Sequence, residues 1–138
     1  MLKQYQRTFV LPFFLLVLSC SGLLLHYYDP TTYKNLTDLK PVVSALYDTF
    51  IEKEIDKKEV ALVRLKLAQA YEYEKGKGET NTETTHQMKT IRDMFERHVQ
   101  DRMKNGKWSK EHLDNVKENM EEAFDIAIAT ERLKNKNE

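Results

Sequence analysis

The stretch MKTIRDMFERHVQDRMKNGKWSKEHLDNV, residues 88–116, decides the fold. Met88, Ile91, Phe95, Val99 and Met103, with His98 among them, recur every three or four residues, which lines one face of an α-helix. Asn105-Gly106 breaks that pattern with two residues that tolerate positive φ. Immediately beyond, Ser109 is a strong N-cap, and Trp108 before it can staple against Leu113 four positions after the cap. The spacing then resumes through Leu113, Val116, Met120, Phe124, Ala127 and Ile128. Two apolar helical faces joined by so short a link must lie antiparallel and pack.

The same grammar extends upstream. In IDKKEV, residues 55–60, Asp56 with Glu59 three later is a capping box, and Ile55 with Val60 is its staple. A buried stripe of Val60, Val63, Leu67, Ala70 and Tyr71 follows, and Gly76-Lys77-Gly78 stops the helix. Before it, Val42, Val43, Leu46, Phe50 and Ile51 are spaced as a helix with Pro41 in its first turn, and Thr37, Asp38 and Lys40 compete as its cap. Thr80 with Glu83, inside GETNTETT, is a second capping box ahead of the third helix. The sequence therefore predicts an all-α protein. Its architecture is an up-and-down bundle of four amphipathic helices of about 14, 19, 23 and 22 residues, behind an N-terminal signal or anchor segment. The expected division is 1–19 signal, 20–40 tether and 41–138 bundle.

Composition agrees. With 138 residues there is room for one domain. Lys plus Arg and Asp plus Glu each total 22, so no net charge draws the chain toward nucleic acid. Only 4 Gly and 3 Pro argue against a β-sandwich built on many turns.

The N-terminus has its own organisation. Lys3 and Arg7 precede an uncharged run, Phe9 to Val17, and then Leu18, Ser19 and Cys20, the layout of a secretory signal. The stretch Val17-Leu18-Ser19-Cys20 resembles the bacterial lipobox, with an aliphatic residue three before the cysteine and a small one directly before it. The resemblance implies diacylglycerol transfer to the Cys20 thiol and cleavage after Ser19. It also implies an envelope lipoprotein held by its acyl chains, at the outer membrane in a Gram-negative cell because Ser rather than Asp follows the cysteine. A second reading is an uncleaved anchor. Phe9 to Leu25 is 17 residues without a charge, at the short end of a spanning helix. Leu23-Leu24-Leu25 favours that reading. A third is ordinary cleaved export. Cysteine arithmetic favours lipidation, because Cys20 is the chain's sole thiol and sits where such a signal is cut.

Reactive groups are few. There is no nucleophile elbow and no Gly-rich phosphate loop, so no catalytic residue is assigned and an enzyme is not expected. No cofactor is implied. Glu83-Thr84-Thr85-His86 matches the Glu-x-x-His unit of di-iron bundles, but no second unit accompanies it. His98 shares the third helix's apolar face, so His98 with His86 or His112 is the candidate for a metal- or ligand-binding bundle, against the simpler reading of a hydrogen-bonded core histidine. Trp108 is either a staple or an exposed partner anchor, and Tyr73 lies on a different face from Tyr71, which leaves it available to a partner. The expected function is therefore a membrane-anchored envelope lipoprotein whose bundle binds another protein. A metal- or ligand-binding bundle is the rival.

Overall fold

The computed structural model describes residues 27–134, and the signal or anchor segment with Cys20 and His26 lies outside them. Within the described residues are four α-helices: α1 (Pro30–Asp48), α2 (Lys57–Gly76), α3 (Thr82–Asn105) and α4 (Lys110–Leu133). Single 3-10 turns at Thr49–Ile51 and Glu79–Asn81 join α1 to α2 and α2 to α3. Each helix packs against its chain neighbours, and α1 closes the ring on α4. This is the all-α up-and-down bundle that the apolar periodicity predicts.

The caps explain most boundaries. Asp56 Oδ1 accepts from the amides of Lys58 (2.8 Å) and Glu59 (3.2 Å), so the α2 cap forms where the sequence puts it. Ser109 Oγ accepts from the His112 amide at 3.1 Å and opens α4. Gly78 and Gly106 close the turns with φ of 77° and 82°, a region where a side chain would strain the backbone.

Three expectations need correction. First, residues 30–40 are not a polar tether but the opening turns of α1. Asp29 is the N-cap, accepting from the Thr31 amide at 2.8 Å, and Pro30 takes the first helical position. Pro41 is therefore inside the helix, where a missing amide and ring crowding cost about 3 kcal/mol. Burial on both sides offsets that cost: Leu36 and Leu39 precede the proline, Val43 and Leu46 follow it, and all four face the core. Second, the Thr80–Glu83 box does not form. A 3-10 turn intervenes, and Thr80 Oγ1 faces back to the Lys77 carbonyl. Third, Met103 is 50% exposed, and the residue that turns inward at that level of α3 is Arg102, at 4%.

Arg102 carries a structural load the apolar pattern could not show. Its Nε donates to the Phe50 carbonyl (2.8 Å) and a terminal nitrogen donates to the Glu52 carbonyl (2.7 Å). The Trp108 amide also donates to Phe50 O, at 3.0 Å. The α1–α2 link and the α3–α4 turn are thereby tied together through carbonyls that leave a helix end unpaired. Removing the guanidinium deletes two charge-assisted hydrogen bonds between α3 and the α1–α2 link and leaves Phe50 O with the Trp108 amide alone. Arg102→Met is expected to cost about 2–4 kcal/mol in urea unfolding, whereas Lys104→Met, exposed on the same helix, changes stability by less than about 0.5 kcal/mol.

Candidate functional site

Two polar clusters lie within the bundle, one at each end. The first gathers where α1 begins, α2 ends, α3 begins and α4 ends. Glu74 (1% exposed) and Glu131 (0%) are buried carboxylates. Glu74 accepts from Thr32 Oγ1 at 2.6 Å, Asn81 Nδ2 at 2.7 Å and Lys77 Nζ at 3.0 Å. Glu131 Oε1 accepts from the Asp29 amide at 2.6 Å. Its Oε2 lies 2.7 Å from Lys134 Nζ, an ion pair not aligned as a hydrogen bond. Lys134 Nζ in turn donates to Asn81 Oδ1 at 2.9 Å. The Asn81 side chain therefore serves Glu74 and Lys134 rather than capping α3.

Asp29 completes this latch. Its Oδ2 faces Lys77 Nζ at 2.6 Å and accepts from Tyr73 Oη at 2.8 Å. Burial alone would raise its carboxyl pKa. The Lys77 ammonium, the Tyr73 hydroxyl and the Thr31 amide more than offset that and hold it well below the usual carboxylate range. Lys77 rests over the Tyr73 ring at 4.6 Å, so the protein's own ammonium fills this aromatic and anionic cage. An open cleft of about 690 Å³ lies over the latch, walled by Tyr27, Tyr28, Tyr73 and Thr80. Tyr73 also ends a groove of about 370 Å³ between α1 and α2, floored by Leu39, Val42 and Ala70, with Lys66 and Gln69 at its lip.

The second cluster surrounds Trp108 at the opposite end. Trp108 is 6% exposed and packs edge-on against Tyr47, Phe50, His98 and His112. Its Nε1 donates to Asp101 Oδ2 at 2.8 Å. The indole is a buried packing residue of this cluster, so it is not available as an exposed partner anchor. His98 Nδ1 lies 2.8 Å from Tyr47 Oη, the arrangement of a hydrogen-bonded, half-buried histidine.

The three candidate metal histidines do not converge. His112 sits across the indole from His98, its Nε2 3.5 Å from Asp101 Oδ2. His86 is exposed near the other end of α3, about 18 Å away at the helical rise. Among the described residues no three histidines, cysteines or carboxylates come together as a metal-binding set. Tyr73, at 40% exposure, stays at the surface with its hydroxyl tied to Asp29. The latch residues Thr32, Glu74, Asn81 and Glu131 escaped the sequence reading. The available signal was a glutamate on an apolar stripe: Glu74 four residues after Ala70 on α2, and Glu131 four residues after Ala127 on α4.

Among the described residues no helix is long and apolar enough to cross a membrane. No protein-family model matches the chain, and neither a curated protein nor a solved structure does.

The His98 environment sets a pH dependence. Burial, helped by the positive charges of Arg97 and His112 and opposed by Asp101, lowers its pKa from 6.5 to about 4. A histidine depressed in the folded state favours folding above pH 6.5, and that contribution falls away as pH drops from 6.5 through 4. The full shift corresponds to about 3 kcal/mol, and partial solvation of the ring roughly halves it. Urea denaturation at stepped pH should show this slope in the wild type. In His98→Gln, which keeps a partner for Tyr47, the slope between pH 6.5 and about 5, above the range where the Asp29 carboxylate begins to contribute, should flatten.

Proposed function

We propose that this protein is a membrane-tethered helical bundle of a bacterial cell envelope, its body outside the cytoplasm, working as an interaction module for another envelope protein. The reading starts from the N-terminal order of basic residues, apolar run, Ser19 and Cys20, and from a body that contains no other thiol. One structural observation supports it most. Helix α1 begins at Pro30, so nine residues, 21–29, separate it from Cys20. Fully extended they reach at most about 30 Å. Acyl chains on Cys20 would therefore hold the Asp29 end of the bundle near the bilayer, with Tyr27, 48% exposed, suited to the interface.

The interaction role rests on surface rather than on a reactive centre. Both buried polar clusters are spent on holding helices together, and the α1–α2 groove offers an apolar floor with a mixed polar rim. The proposal separates into two measurements. Intact-protein mass spectrometry should find residues 1–19 missing and acyl mass added in the wild type, and neither change in Cys20→Ser. An unlipidated wild type that retains Met1 would overturn the lipoprotein and favour the spanning helix Phe9 to Leu25. A photo-crosslinking residue at Asn35, in the groove, should give an adduct in intact envelopes whose mass differs from twice that of the mature protein in the same sample. The same probe at Lys104 should give none.

A further inference from the structure

The face of α2 turned away from the core carries Lys58, Ala61, Leu62, Leu65, Ala68, Gln69 and Glu72, spaced by three or four residues. Leu62 is 52% and Leu65 is 54% exposed, on the side opposite the buried Val63, Leu67 and Ala70. Single exposed leucines need no explanation, but these two form a seam between alanines and are closed at each end by a charge. The seam is symmetric about Leu65. Lys58 lies seven residues before it and Glu72 seven after, while Leu62 and Ala68 sit three to either side.

We propose that α2 pairs with α2 of a second copy, antiparallel about a two-fold axis at Leu65. In that arrangement each Lys58 meets Glu72 of the second copy, and Leu62 packs near Ala68 and Leu65 of the second copy. An isologous contact of this kind needs a self-complementary patch, which this is. A parallel pair would set lysine against lysine and glutamate against glutamate, so charge specifies the orientation. Ala61 and Ala68 let the backbones approach. Among the described residues the ion pair of Glu72 is a long, exposed one with Lys75 at 3.7 Å, which a closer lysine can replace.

One helix face gives a contact smaller than the roughly 800 Å² per partner of a standard interface. The pairing is therefore weak in solution and gains from confinement, as when two copies share one bilayer. The pairing itself does not depend on the anchor reading.

The test uses the full chain carrying Cys20→Ser, so that an introduced cysteine is the sole thiol, in mild detergent. Leu65→Cys, on the two-fold axis, should be joined by a short bis-maleimide into a species of doubled mass, and Lys104→Cys should not. Lys58→Glu or Glu72→Lys alone should cut that yield about fivefold, because each places like charges at both symmetric pairs. The double exchange should restore it. All these side chains are exposed, so the thermal midpoint should stay within a degree or two of the parent's. No crosslink at Leu65, equal crosslinking at Lys104, an adduct of another mass, or failure of the double exchange to restore the yield would each overturn the pairing.

Discussion

Two buried carboxylates govern this bundle. Glu74 and Glu131 lose their hydration on folding, a cost of several kcal/mol for each if nothing replaced the water. What replaces it comes from every helix end nearby: Thr32 and the Asp29 amide from the start of α1, Lys77 from the end of α2, Asn81 from the start of α3 and Lys134 from the end of α4. Such a network is stable only when complete, so it fixes the relative positions of four helix termini that apolar packing alone would leave free to slide. The surface pairs along the helices, such as Lys40–Asp125 and Lys117–Asp48, add little by comparison.

The latch also determines where the bundle begins. Asp29 caps α1 with one carboxylate oxygen, binds Lys77 and Tyr73 with the other, and gives its amide to Glu131. A residue tied by three different groups is a firm end for a helix. Whatever force reaches the bundle through residues 21–29 is delivered to the C-terminal turns of α2 and α4 as well as to α1.

At the far end the aromatic cluster does the corresponding work by shape. Trp108 sits at the α3–α4 turn, yet it packs against Tyr47 and Phe50 from α1 and its following turn. Arg102 and the Trp108 amide join the same two links through Phe50 O. His98 belongs to this assembly as a hydrogen-bonded wall, and its burial there is the main reason its proton affinity is low.

Much of this was legible from the chain. Apolar recurrence at three and four residues determined four helices, Asp56 and Ser109 two of their caps, and Gly78 and Gly106 two of their turns. These are short-range facts, set by the 3.6-residue period and by which side chains can satisfy a free helix end. The start of α1 was misread for a physical reason. Pro41 locally favours a first turn, and only burial of Leu36 and Leu39 against partners far along the chain outweighs it. The latch was hidden for a related reason: a glutamate looks solvated in sequence, and whether it is buried depends on which hydroxyl, amide and ammonium arrive from elsewhere. Local chemistry decided the helices. The contacts between their ends, separated by up to 102 residues, were decided only when the bundle closed.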